Sequence, residues 1–324
     1  MIGVIGSEGF LGTFFKARLR SGSDAVKFFD KSFSADSSEY LDVSLDISPR
    51  KFEGLSTLLN LAAVHRDDVK PLSRYYDVNV MGAQNICDAA TKAGVKTIVF
   101  TSSVAIYGFA PPGTGEDGDI NYFNEYGKTK FLAEQIYLDW QAEAPKDRCL
   151  VIVRPTVIFG PGNRGNVYNL LRQIASGRFA MFGDGRNVKS MAFVENVAEF
   201  LVQCISKPPG VHLYNYVDKP DLSMNELVER SRSILFSKEG VGLRLPGYLG
   251  MAIGRAFDFL AWLTRRPLPI SSIRVKKFMA TTHFSSAVSA TDFEAPYTLL
   301  EGLEKTLRYE FLEDNRDKPT FDTE

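Results

Sequence analysis

The chain is poor in the residues on which metal and disulfide chemistry depends. Its 324 residues include three cysteines and three histidines. Cys87, Cys149 and Cys204 lie far apart and form no C-x-x-C pair, which argues against a zinc knuckle or a disulfide framework. No H-E-x-x-H run is present, so no metal ligand set is expected. An excess of one charge is also lacking. Lys plus Arg total 38 and Asp plus Glu 39, a formal net charge of −1, whereas a general nucleic-acid binder would be markedly basic. Hydrophobic residues at 44% and charged residues at 24% describe a globular rather than a disordered chain. Internal repeats and low-complexity tracts are absent. At roughly 150 residues per domain, the length suggests two domains or one large one with an insertion. Scarce cysteine fits a reduced, cytoplasmic compartment.

What is there begins at once. A secretory leader would open with basic residues and a long apolar stretch. Here a short apolar strand, Ile2 to Ile5, runs straight into glycines, and Thr13 to Arg20 has the apolar spacing of a helix at Phe14, Phe15 and Leu19. The glycines Gly6, Gly9 and Gly12 are spaced G-x-x-G-x-x-G. In a strand–turn–helix, the first permits the tight turn, the second admits a pyrophosphate, and the third lets helix and strand pack closely. The helix N-terminus offers its free N–H groups to phosphate. A second apolar strand, Ala25 to Phe29, ends in Asp30. An acid about 20 residues past the glycines can hold ribose hydroxyls and repels a 2′-phosphate, so NAD is favoured over NADP.

Strands and helices then alternate. Strands are expected at Leu58–Val64, Thr97–Ser102 and Leu150–Arg154, and helices over 78–93 and 124–143, with Gly94 as a stop. Alternation predicts an α/β fold with a doubly wound parallel sheet covered on both faces. After about residue 160 the pattern changes to loops, helices and isolated strands.

The reactive group is Ser103, Tyr126 and Lys130. Tyr126 and Lys130 are spaced Y-x-x-x-K, one turn apart on a helix. An ammonium there favours the phenolate, as a general base near neutral pH requires. Ser103 follows a strand, at the carboxyl edge where ligands of open α/β sheets bind. With no histidine beside it, its expected task is to hydrogen-bond the reacting oxygen.

In this order, these residues resemble the extended short-chain dehydrogenase/reductase superfamily. The resemblance covers the whole chain. It includes Leu61-Ala62-Ala63, Asn79-Val80, Arg154-Pro155 with Phe159-Gly160-Pro161, and Phe293-Glu294-Ala295-Pro296-Tyr297 before Leu300-Glu301-Gly302-Leu303. It implies a Rossmann-type NAD-binding domain over 1–160 with a return segment at 188–215. The substrate-binding domain would be 161–187 and 216–324. It assigns Gly6, Gly9, Phe10, Leu11, Gly12, Asp30, Asp46, Leu61, Ala62, Ala63, Asn79, Tyr126, Lys130 and Pro155 to NAD. Dehydratase relatives carry an Asp-Glu pair where this chain has Val104 and Ala105, decarboxylase relatives keep a Glu at Ala105, and epimerase–reductases place a Cys at Val104. What remains is chemistry needing only a phenol base and a hydride acceptor, and the resemblance points to the sugar 4-epimerase branch, working through a 4-keto intermediate. Relatives pair through the helices near 82–93 and 124–143, so a homodimer is implied.

On the substrate side the resemblance points to Ser103, Asn163, Arg164, Asn166, Arg274 and Thr281. Arg164 and Arg274 would clamp a diphosphate with their planar forks, although either could be a solvated surface charge. Thr281, where related enzymes can hold a bulky aromatic, would leave room for an N-acetyl group. A narrower similarity, carried by 65–69, Asn163–Leu171, Lys189–Ala192, Tyr214–Leu222 and Ser271–Thr282, is to the bacterial undecaprenyl-diphosphate N-acetylglucosamine 4-epimerases of O-antigen synthesis. Most epimerases have Asp near Asn196, where this chain departs. The alternatives are a soluble UDP-sugar 4-epimerase, a steroid or alcohol dehydrogenase, and a non-catalytic NAD-binding regulator.

Residues 243–266 are apolar-rich. Leu249, Ile253, Ala256, Leu260 and Leu263 share one helical face, with Arg255, Asp258 and Arg265 on another. The charges break the run short of the roughly 20 apolar residues that span a bilayer. Residues 241–290 hold seven Lys and Arg against Asp258 alone, which suits an anionic membrane surface or a lipid diphosphate. An apolar helical face buried in the protein is the competing expectation.

Overall fold

A computed structural model describes residues 1–19, 25–66, 69–264 and 272–322. Arg20, Asp67, Asp68, Arg265, Arg266 and Ser271 lie outside these residues, as do the side chains of Arg274 and Lys277. Six strands make one parallel sheet: β1 (Ile2–Ile5), β2 (Val26–Phe29), β3 (Thr57–Asn60), β4 (Thr97–Thr101), β5 (Cys149–Pro155) and a late strand, Gly210–Tyr216. The spatial order is β2, β1, β3, β4, β5 and then Gly210–Tyr216. The order reverses at β1, where Ile5 sits level with Phe29 on one side and Asn60 on the other. Such a switch point opens a crevice at the carboxyl ends of the strands.

The strands alternate between two apolar layers, as a sheet covered on both faces must. Ile5, Leu58, Ile98, Phe100, Leu150 and Ile152 pack with α2 (Gly82–Ala93) and α3 (Glu125–Ala142). Val4, Leu59, Val99, Val151 and Val153 pack on the other side with α1 (Phe10–Leu19), through Phe15, and with the helix Val194–Cys204. A third core, including Phe159, Leu171, Met181, Phe193, Leu227 and Leu303, lies beyond the carboxyl end of the sheet.

Element boundaries differ from expectation for local reasons. β3 ends at Asn60 rather than Val64. There Asn60 Oδ1 accepts the Ala62 N–H at 3.0 Å, and Asn60 Nδ2 donates to the Tyr137 hydroxyl at 2.8 Å. The helix expected from 78 begins instead at Ser73, widens into a π-helical stretch over Tyr76–Met81 and is α-helical again from Gly82. Asn79 in that turn is buried and bonds both the N–H and the carbonyl of Val64 and the Thr129 hydroxyl. Gly94 ends α2 with φ 75°. Within 188–215, only Gly210–Tyr216 joins the main sheet. Val188–Lys189 pairs with Leu222–Ser223, and Met191–Phe193 pairs with β6 (Val157–Phe159).

Helix α4 (Asn166–Ala175) follows the turn after β6. Asn196 is buried, donates to Asp218 Oδ1 and the Tyr297 carbonyl, and accepts the Tyr297 N–H. It thereby anchors the segment that leads into the helix Leu299–Phe311.

The helix Gly247–Thr264 does not bury the face its periodicity suggested. Its buried residues are Gly250 and Gly254, and a Cβ at Gly250 would meet the Phe182 ring at 2.7 Å. The glycines let the helix sit close on Phe182 and on the following helix Ser272–Met279. Leu249, Leu260 and Leu263 stay exposed, and Phe259 and Trp262 are 63% and 72% exposed. Asp258 accepts the Ser272 N–H at the start of the second helix, a carboxylate where the helix dipole favours one.

Candidate active site

The crevice at the switch point widens into a cleft of about 690 Å3. Its floor is the glycine turn. Gly6 has φ +82°, and a Cβ there would lie 2.7 Å from Ala62 N. A Cβ on Gly12 would lie 2.3 Å from Gly6 O, so both positions are closed to any larger residue by backbone. At Gly9 a Cβ would meet only Gly6 O, at 3.4 Å, and Gly9 lines the cleft. The first N–H groups of α1, at Phe10, Leu11 and Gly12, border the same space and have no partner within their own helix.

Asp30 closes the far end of β2. Its two carboxylate oxygens accept the N–H groups of Glu8 at 3.0 Å and Ser32 at 2.9 Å. These bonds fix the carboxylate at the cleft edge, with lone pairs left for ribose hydroxyls. Asp46 does not join it. It is exposed and away from the cleft, whose wall is formed instead by Asp42 and Val43. The backbone bridge between Asp30 and Tyr40 turns the chain back early and brings Asp42 to this edge.

On the other side, Leu61, Ala62 and Ala63 face Pro155 and Thr156 across the cleft lining. Asn79 supports the wall from behind through Val64 and is not part of the lining.

Ser103 and Tyr126 both line the cleft, carried by different elements. Ser103 caps a short 3-10 turn, Val104–Tyr107, by accepting the Ala105 N–H at 3.1 Å. Asn124 caps α3 by accepting the Gly127 N–H at 2.9 Å, which places Tyr126 in the first turn. Lys130 follows one turn later. It is buried, donates to the Thr101 carbonyl at 2.7 Å and lies 4.7 Å from the centre of the Phe100 ring. Burial pushes its amine down to about 7, with Glu134 one turn further on acting in the opposite direction. Glu134 is held by Arg154 through two bonds of 2.9 and 2.6 Å, and Arg154 also donates to the Tyr107 hydroxyl at 2.6 Å. Helix α3, β5 and the serine turn are thus tied together by a buried ion pair.

The substrate end is mixed. Asn163 and Asn166 line the cleft, and Asn163 Oδ1 accepts the Gly165 N–H at 2.7 Å. Arg164 does not line it. Its guanidinium pairs with Glu310 at 2.7 Å and stacks on Tyr168 at 4.2 Å, so it anchors the loop to the last helix rather than reaching for a diphosphate. Thr281 accepts the Val188 N–H at 3.4 Å, and its neighbour Thr282 forms the wall. Arg274 falls in the helix Ser272–Met279, and its side chain is among those not described.

Among the lining residues not assigned to the site from the sequence are His65, Ser102, Ser190 and Phe284. His65 opens into the cleft. Desolvation, followed by the charge of Lys130, holds its imidazole below the ordinary range. Ser102 Oγ is buried without a hydrogen-bond partner among the described residues.

The sequence pattern of the NAD dependent epimerase/dehydratase family matches residues 2–215. The chain belongs to that family. Among its relatives is the N-acetyl-alpha-D-glucosaminyl-diphospho-ditrans,octacis-undecaprenol 4-epimerase of Escherichia coli O157:H7, 46% identical over 99% of this chain and 98% of that one. The UDP-glucose 4-epimerase of Vibrio cholerae is 27% identical over 77% of this chain and 74% of its own. Two solved structures share the fold. MoeE5 in complex with UDP-glucose and NAD has a TM-score of 0.71 at 23% identity, over 95% of this chain and 97% of that one. The UDP-N-acetylglucosamine 4-epimerase from Methanobrevibacter ruminantium M1, in complex with UDP-N-acetylmuramic acid, has a TM-score of 0.71 at 18% identity, with the same coverage.

The cleft of this NAD-dependent family member fits its cofactor. Of the three glycines in the turn, Gly9 alone leaves space for a Cβ, and a pyrophosphate would approach there. Asp30 and Lys130 both line the cleft, where Asp30 would hold the adenosine ribose and Lys130 the nicotinamide ribose. Ser102 supplies a buried hydroxyl still able to bond a ligand.

Proposed function

We propose that the protein is an NAD-dependent sugar 4-epimerase that converts undecaprenyl-diphospho-N-acetylglucosamine to its N-acetylgalactosamine epimer. The observation that carries this reading is the 46% identity, end to end, with the Escherichia coli enzyme of that name. The Ser103, Tyr126 and Lys130 group in the cleft supports it. When bound, NAD would supply reversible hydride acceptance at sugar C4, and the 4-keto sugar would turn over in the cleft so that the hydride returns to its opposite face. The chain's own residues handle the proton. Tyr126 removes it from the 4-hydroxyl and gives it back, Ser103 holds the oxygen in line, and Lys130 steadies the phenolate when protonated. Val104 and Ala105 provide no acid to expel a hydroxyl, which favours inversion over dehydration.

The exposed apolar helix Gly247–Thr264 supports a further part of the reading, peripheral contact with an anionic membrane. Trp262, Phe259 and Leu263 would enter the interface, and the excess of Lys and Arg in the sequence over 241–290 suits anionic lipid headgroups. Among the described residues no helix is long and apolar enough to cross a membrane. A homodimer through α2 and α3 belongs to the same proposal.

The test offers the NAD-loaded protein undecaprenyl-diphospho-N-acetylglucosamine and UDP-N-acetylglucosamine separately, with both sugar epimers quantified. Inversion of the lipid-linked sugar is expected. Inversion of the UDP-linked sugar alone would make the protein a nucleotide-sugar epimerase. No inversion of either, with NAD bound, would leave a cofactor-binding regulator.

A further inference from the structure

At the substrate end, one wall carries a polar group that the chemistry at Tyr126 does not use. Ser190 is buried and lines the cleft beside Thr282 and Phe284. Its hydroxyl donates to Asp221 Oδ1 at 2.5 Å and accepts the Phe284 N–H at 3.0 Å. The Asp221 side chain is 7% exposed. Its second oxygen pairs with Lys219 and lies 3.3 Å from His283 Nε2. Lys219 also donates to the Phe284 carbonyl at 2.8 Å.

A serine hydroxyl has one proton and two lone pairs. Here the proton is committed to a carboxylate that can only accept, and one lone pair is taken by Phe284. One acceptor position remains, strengthened by the charged bond on its far side. A ligand that meets Ser190 must therefore bring a donor. The neighbourhood suggests which one. The Ser190 N–H donates to the Thr282 carbonyl at 2.8 Å. The serine thus stands beside Thr282, which shares the cleft wall with it.

We infer that Ser190, with its proton held by Asp221, accepts the amide N–H of a 2-acetamido group on the substrate sugar. Ser190 is the specificity residue, and Asp221 is a positioning residue that acts through it. The assignment rests on the sugar substrate proposed above and deepens it. An amide nitrogen can only donate, so it matches this site without reorientation. A fluorine at C2 offers no donor and leaves the Ser190 lone pair unmet.

The experiment measures binding, so that turnover does not intervene. NAD-loaded protein carrying Tyr126→Phe is titrated calorimetrically with UDP-N-acetylglucosamine, UDP-2-deoxy-2-fluoroglucose and the farnesyl-diphosphate counterparts of both. The same titrations are made with Ser190→Ala or Asp221→Ala added. On whichever carrier binds, the parental protein is expected to prefer the acetamido sugar. Ser190→Ala is expected to reduce that preference by about 10-fold, the range of one charge-assisted hydrogen bond. Asp221→Ala should reduce it similarly, because the freed hydroxyl can then turn its proton into the cleft. A merely structural role would weaken both sugars alike. An unchanged preference in Ser190→Ala, or no acetamido preference in the parental protein, overturns the inference. The proposed activity fails separately, if protein with Tyr126 intact binds the sugar but does not invert it.

Discussion

Lys130 Nζ meets the Thr101 carbonyl oxygen at 2.7 Å, which joins the third helix to the end of β4 two residues before Ser103. The bond brings a tyrosine and a serine from distant parts of the chain to one cleft. It also buries an amine. Burial lowers Lys130 from 10.5 to about 7. Between those values the unfolded chain holds the proton and the folded chain does not, so this group makes stability rise with pH across that window. Lys130→Met is therefore expected to melt above the parent at pH 6.5 without cofactor, and to lose the advantage toward pH 10. Its epimerase activity should fall by about 100-fold or more. Melting curves across that range, with an activity assay beside them, check both.

The glycine turn separates folding from cofactor binding. A Cβ on Gly12 strikes backbone at 2.3 Å, and overpacking of this kind costs about 1–3 kcal/mol. Gly12→Ala should lower the melting temperature and NAD binding together. Gly9→Val adds its bulk to the cleft, so the melting temperature without NAD should hold while the upward shift on adding NAD is lost.

We propose that Asp30 carries the choice between dinucleotides. Asp30→Asn removes the charge while keeping the shape. NAD affinity should fall by about 10-fold or more, the usual contribution of a hydrogen bond to a charged group, and NADP affinity should fall less or rise. Titration of both dinucleotides by calorimetry decides it, and an unchanged ratio would remove Asp30 from the ribose site.

Much of this was legible in the sequence, and the exceptions have a common cause. Gly6, Gly9 and Gly12 sit within one turn, and Tyr126 and Lys130 within one helical turn, so local spacing carries their geometry. Five of the six strands follow from alternation because both faces of the sheet are buried, whereas the sixth, Gly210–Tyr216, was placed only within a broad return segment over 188–215. Arg164 was misleading because its partner, Glu310, is 146 residues away. Asp42 stands at the cleft edge in place of Asp46 because the chain after β2 turns back through the Asp30–Tyr40 bridge. Ser190, Asp221 and His283 come from three separate segments, and no periodicity links them. The helix Gly247–Thr264 carried an apolar face in its periodicity, but that face stays in solvent because Gly250 and Gly254 form the packed side.

That exposed face gives the membrane prediction. Phe259→Ser with Trp262→Ser removes two aromatic side chains that are 63% and 72% exposed, so folding should be unaffected. Co-sedimentation with anionic liposomes should drop sharply, and UDP-sugar turnover, where present, should not change. Equal sedimentation of parent and variant, or none by either, would contradict peripheral contact through this helix.

The most direct measurement is the rate of sugar inversion by Tyr126→Phe, made on protein shown to retain NAD. The account predicts a loss of about 100- to 10,000-fold, the usual contribution of a positioned proton-transfer group, with NAD still bound and no net reduction of the cofactor pool in the parental reaction. Inversion at the parental rate by the phenylalanine variant would contradict it.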